Sequence, residues 1–222
     1  TSKLLRVALF AASATAMLPL FGCPPASDVK QPPTITEASL PTEPAALIKF
    51  ADEQIALGGF KNAVTALERA LQKNPYWAAS KASFEAHYRL AHAYAELCEP
   101  DGDQRVTFVS QGLTAGKKAT ELEPGRVEGH YFSAQLYGYA ALSQKGETKA
   151  QVQQILNAAE AAMKADEKYD HGGPLRLLGT LYARAPKEPV SIGDTEKAVQ
   201  YLRRAVTADD SFPPNHIYLA DA

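Results

Sequence analysis

The chain has 222 residues, 45% of them hydrophobic, and a formal net charge of −2. Setting Lys3 and Arg6 aside as part of a leader leaves 21 basic against 25 acidic residues, about −4, which excludes the basic stripe that nucleic-acid binding calls for. Abundant alanine, a single tryptophan and the lack of Val/Ile/Thr-rich alternation point to an all-helical chain long enough for one continuous core.

In chain order, residues 1–23 read as a leader rather than as fold. Lys3 and Arg6 make a positive start, and Val7–Met17 is apolar but short for a membrane span. Leu20-Phe21-Gly22-Cys23 resembles a bacterial lipobox, which makes Cys23 the site of lipid attachment. An ordinary secretory signal or an uncleaved anchor is the alternative. Pro24–Pro44 holds six prolines among Thr, Ser and Ala, and reads as an extended tether (24–44) leading into a helical domain (45–222).

The first unit pairs a helix over Leu47–Leu57 with one that begins at Phe60 and ends at Asn74-Pro75. Gly58-Gly59 supplies the tight turn between them. Ala63 and Ala70 keep two backbones close, while Leu67 and Leu71 add bulk on the same stripe. This spacing resembles the tetratricopeptide repeat, a helix–turn–helix unit of about 34 residues. A second unit pairs Ser80–Leu97, broken by Glu99–Asp103, with Gln104–Leu122. Gly112 and Gly116 there allow close approach. The third pairs Val127–Leu142 with Lys149–Ala165 across an expanded Ser143–Thr148 connection. The fourth follows Asp170-His171-Gly172-Gly173-Pro174, read as a flexible turn. It closes at Ala185-Pro186, crosses the loop Lys187–Ile192, and repeats the Ala63/Leu67/Ala70 intervals as Ala198/Leu202/Ala205. Asn215–Ala222 reads as a partial helix, either a cap or the opening of a further repeat. The expected architecture is an all-α, right-handed solenoid of about four hairpins, its concave face lined by the first helices.

No nucleophile–base arrangement, cofactor motif or metal-ligand spacing stands out, so the chain is expected not to be an enzyme. His87 and His92 are five apart, the wrong spacing for one metal on a helix; His87 and His130 share a register and read as packing at repeat joints. Asp101–Asp103 lacks the ligand run of a calcium loop. Cys98, left alone once Cys23 carries lipid, reads as a buried thiol. The repeat register places Tyr88 and His92, Tyr131 and Gln135, and Arg176 and Thr180 along the groove. They offer area and directed hydrogen bonds to a protein partner. Tyr88 and Tyr131 are equally compatible with packing between helices.

Residues 20–222 together resemble the tetratricopeptide lipoprotein component of bacterial TRAP transporters. The likeness rests on the lipobox, the Pro-rich tether, the expanded middle hairpins and the run from Gly172 to Tyr182. Ala185-Pro186 and Gly193-Asp194 with Lys197-Ala198 complete it. The resemblance implies a lipid-anchored, all-helical periplasmic protein that binds a solute-binding subunit and assists uptake of a solute. Pro24 after Cys23 suggests retention in the outer membrane, facing the periplasm. An envelope scaffold for pilus, secretion or peptidoglycan assembly is the rival reading, and self-association is left open.

Overall fold

The computed structural model describes residues 35, 39–98, 104–142, 149–188 and 190–222. The leader with Cys23, most of the Pro-rich segment, the acidic Asp101–Asp103 and the Ser143–Thr148 connection lie outside them. Among the described residues the helices are α1 (Pro44–Ala56), α2 (Phe60–Lys73), a one-turn α3 (Pro75–Ala78) and α4 (Phe84–Glu96). Then come α5 (Arg105–Leu122), α6 (Val127–Leu142), α7 (Lys149–Ala165), α8 (Tyr169–Arg184), α9 (Thr195–Ala208) and α10 (Pro213–Asp221).

Helices α1–α2, α4–α5, α6–α7 and α8–α9 pack as hairpins. Each second helix also packs on the next first helix: α2 on α4, α5 on α6, α7 on α8, α9 on α10. The first helices α1, α4, α6 and α8 therefore lie side by side and form one face. Small residues make this possible. Ala63, Ala66, Leu67 and Ala70 of α2 are fully buried, as are Ala198, Leu202 and Ala205 of α9, so both ends of the stack use one stripe. Gly112 and Gly116 of α5 sit directly against Leu136 and Ser133 of α6.

Several boundaries differ from the sequence reading. Pro75 does more than end α2: it opens α3, a turn capped by Asn74, whose Oδ1 accepts the Trp77 N–H at 3.0 Å. The Ser83 hydroxyl lies 2.8 Å from both the Ala78 and the Ser80 carbonyls, so α4 starts at Phe84 rather than Ser80. The tether also ends earlier than Pro44, which is the first residue of α1. Leu40 is buried, the Ile35 N–H donates to Asn62 Oδ1 at 3.3 Å, and Lys73 Nζ donates to the Thr42 carbonyl at 2.6 Å. Two apolar side chains amid prolines suffice to dock this end on the first hairpin. Cys98 is buried at the end of α4 and its thiol is pushed up to about 12 by burial, so it stays protonated and inert.

The turn before the fourth unit is pinned rather than flexible. Asp170, His171 and Gly172 all take positive φ (48°, 56° and 82°), a left-handed turn that breaks α8 near its start. At Gly172 a Cβ would also press on Ala205 Cα and Ala208 Cβ at 3.2 Å, so glycine is needed on both counts. Pro174 then sits in the first turn of the continuous part of the helix.

Candidate functional site

The structure separates the six groove candidates into two groups. Tyr88 and His92 of α4 are half-buried and reachable, whereas Tyr131, Gln135, Arg176 and Thr180 are buried. The His92 ring stacks on Phe132 at 4.5 Å, joining α4 to α6. Tyr131 lies beneath Tyr169, with ring centroids 5.2 Å apart, and its hydroxyl donates to Asp170 Oδ2.

Arg176 is a correction to the sequence reading. It is 8% exposed and faces inward to hold the left-handed turn. Its guanidinium donates to the carbonyls of His171 (2.8 Å) and Asp170 (2.9 Å), to Asp170 Oδ2 (2.9 Å) and to Asn215 Oδ1 (3.0 Å). It also lies over the Phe212 ring at 4.8 Å. Asn215 continues the network by donating to the carbonyls of His171, Ala205 and Asp209. The three-residue left-handed turn rotates the start of α8, so the register projected from α4 does not carry over to it. Thr180 and Gln135 are likewise enclosed between helices rather than offered to a partner.

What surrounds Tyr88 is a polar and aromatic cluster that the groove register does not name. Arg89 pairs with Asp52 of α1 and Glu85 of its own helix, and its guanidinium covers the Tyr88 ring at 4.6 Å. Arg126 pairs with Glu128, comes within 3.9 Å of Glu85 and covers Phe84 at 4.8 Å. Tyr169 belongs to the same cluster. Burial raises its phenol pKa, and Glu128 and Tyr88 push it further in that direction. Burial likewise holds Tyr88 and Tyr131 above the ordinary tyrosine value, with the carboxylates of Glu85 and Asp170 adding to it. Burial works against the charge on Arg89, but its hydrogen bonds to Asp52 and Glu85 win and its pKa is raised. All three phenols stay protonated at neutral pH, and the Tyr131 hydroxyl is already spent on Asp170.

A signal for this cluster is present in the chain. Glu85-Ala86-His87-Tyr88 recurs as Glu128-Gly129-His130-Tyr131 at the same helical position. The histidines act alike: a His87 N–H donates to the Ala78 carbonyl at 3.3 Å and a His130 N–H to the Pro124 carbonyl at 2.9 Å. Each ties a first helix to the connector before it. His87 Nδ1 is buried without a partner, and burial lowers the His87 pKa, partly offset by the Ala78 bond. Its folded pKa lies below 6.5, so its contribution to stability is complete above that pH and is lost as pH falls through the folded value. Thermal unfolding between about pH 7 and about pH 5 is expected to show a midpoint that drops with pH, and a shallower drop in His87→Leu.

On the second-helix side, a cleft of about 580 Å³ runs between α2 and α5 over α4. Its polar groups are largely matched internally: the Tyr94 hydroxyl donates to Glu68 at 2.6 Å, and Lys118 pairs with Glu121 at 3.3 Å. Among the described residues no group of three or more His, Cys, Asp or Glu side chains could hold a metal, and no helix is long and apolar enough to cross a membrane.

No protein-family model and no curated protein match the chain. A solved structure of a thermophilic TPR protein from Thermus thermophilus superposes with a TM-score of 0.62, at 22% identity, covering 80% of this chain and 80% of that one. At that identity the likeness speaks to the fold: an all-α solenoid of the tetratricopeptide kind.

Proposed function

We propose that the chain is a non-enzymatic docking protein, held to the outer membrane by lipid on Cys23. Its partner in this reading is the periplasmic solute-binding subunit of a TRAP-type transporter, and its task is to assist solute uptake. The observation that carries the docking role is the first-helix face. There half-buried Tyr88, His92 and Tyr169 lie among Asp52, Glu85, Arg89, Arg126 and Glu128, aromatic area framed by directed polar groups. The transporter assignment draws its support from the lipobox-like Leu20-Phe21-Gly22-Cys23 and the Gly172–Tyr182 run.

The test is capture of partners by the full tagged chain from detergent-solubilised envelope. The solute-binding subunit is expected to co-purify, and Tyr88→Ala is expected to reduce its recovery by about tenfold or more, as for a central aromatic contact. Recovery of pilus, secretion or peptidoglycan machinery in its place would overturn the transport assignment and leave an assembly scaffold.

A further inference from the structure

The cleft between α2 and α5 holds two charges that its internal pairs do not cancel. It lies on the side of α4 opposite Tyr88 and His92, so it is separate from the docking face. Leu71 of α2, Leu90 of α4 and Ala115 of α5 line its middle, and its volume of about 580 Å³ is that of a small-molecule site. His87 and Tyr94, seven residues and about 10 Å of helix apart, mark its two ends. At the Tyr94 end stands Glu68, half-buried, with one carboxylate oxygen held by the Tyr94 hydroxyl at 2.6 Å. Burial and that carboxylate keep the Tyr94 phenol above the ordinary range, so the hydroxyl stays a donor. No cation pairs with Glu68 among the described residues.

The His87 end is cationic. Lys118 pairs with Glu121 at 3.3 Å, while Lys117 beside them is exposed and makes no ion pair among the described residues. Burial lowers the His87 pKa from 6.5, so His87 adds no charge at neutral pH. Two lysines against Glu121 leave one net positive charge here, across the apolar middle from one negative charge at Glu68. A ligand carrying only a cation, or only an anion, would neutralise one end and leave the other unmatched. One that carries both, with an aliphatic chain between them, would satisfy each end and bury the chain on Leu71, Leu90 and Ala115. We propose that the cleft binds an ω-amino carboxylate, its ammonium at Glu68 and its carboxylate at Lys117 and Lys118.

Isothermal titration calorimetry with the full chain at neutral pH tests this, using ε-aminocaproate as the probe. Caproate and hexylamine, which each keep one of its two charges on the same chain, are the comparisons. The probe is expected to bind with a Kd below about 1 mM, and each comparison compound about tenfold or more weakly. Glu68→Gln removes the charge but keeps an oxygen to accept the Tyr94 hydroxyl. It is expected to weaken the probe about tenfold and to leave caproate unchanged. Lys117→Gln is expected to weaken the probe about fivefold and to leave hexylamine unchanged. Circular dichroism establishes that each variant is folded, and Lys117 is exposed, so its variant stays informative if Glu68→Gln unfolds. Hexylamine or caproate binding as tightly as the probe would overturn the proposal. So would probe affinity unchanged by both substitutions, or no saturable binding up to about 10 mM. Because the cleft and the docking face lie on opposite sides of α4, capture of a protein partner bears on neither outcome.

Discussion

Arg176→Met is expected to destabilise the chain by about 3–5 kcal/mol, the cost of breaking a buried ionic network from one side. Methionine fills most of the volume but leaves the Asp170 and His171 carbonyls and Asn215 Oδ1 without the donor that satisfies them. The turn that Arg176 clamps has positive φ at two residues with a Cβ, Asp170 and His171, so removing the clamp also releases a strained backbone. In a chain of this size the midpoint of thermal unfolding should fall by about 10 °C, read by far-UV circular dichroism. Because repeats contact mainly their neighbours, hydrogen exchange should show protection lost first in α8–α10 and retained in α1–α2. Arg176→Lys is expected to recover little, since one ammonium cannot reproduce a planar fork that reaches four acceptors. An unchanged midpoint in Arg176→Met would return Arg176 to the surface role that its register suggests.

Gly193→Ala is expected to cost about 2–4 kcal/mol by steric overlap alone. A Cβ there would stand 2.0 Å from the Ala185 carbonyl oxygen and 2.8 Å from Pro186 C and O. These are backbone atoms, and the crossing is held by Gly193 N–H to Pro186 O and Asp194 N–H to Tyr182 O, both at 2.9 Å. Relief requires breaking the first of those bonds and shifting Asp194, whose side chain caps α9 by accepting the Lys197 N–H at 3.0 Å. Gly125→Ala is the matched control: its added Cβ would meet nothing within 4 Å, so its effect should stay within about 0.5 kcal/mol. Urea unfolding of the two variants side by side checks the pair. Equal midpoints would mean that the 185–194 crossing yields more readily than its geometry implies.

The contrast between these glycines shows how far the sequence can be read. Both stand in turns between helices, and composition assigns them one role; only the carbonyl facing Gly193 separates them. Helix positions are legible where small and large apolar residues recur at three- and four-residue intervals. Val127–Leu142 and Lys149–Ala165 have the same bounds in sequence and structure, α7 through its amphipathic pattern and α6 as an apolar run buried on nearly every side. Hydrophobic spacing misplaces the Asn74–Ser83 connector, because local side-chain hydrogen bonds shape it: Asn74 caps the start of α3 and the Ser83 hydroxyl bonds back to the Ala78 and Ser80 carbonyls just before α4. The site is less legible still. Projecting one register along three helices names Tyr88 and His92 but passes over Glu85, Arg89 and Tyr169, although the repeated Glu-x-His-Tyr is there to be read.

Sequence alone determined that this chain is a stack of helical hairpins, since the alternation of Ala, Leu and Gly acts through contacts within a turn or between consecutive helices. It could not determine which polar side chains face outward. That outcome depends on pairs far apart in the chain: Tyr131 with Asp170 and Arg176 with Asn215, each separated by 39 residues, and Arg89 with Asp52, separated by 37. A left-handed turn at 170–172 reorients α8 and draws its arginine inward, while Arg89 of α4 sinks beneath the more exposed Asp52 and Glu85 that pair with it. The tertiary structure settles those choices because a charged group goes where partners can satisfy it, and the partners meet only once the repeats have stacked.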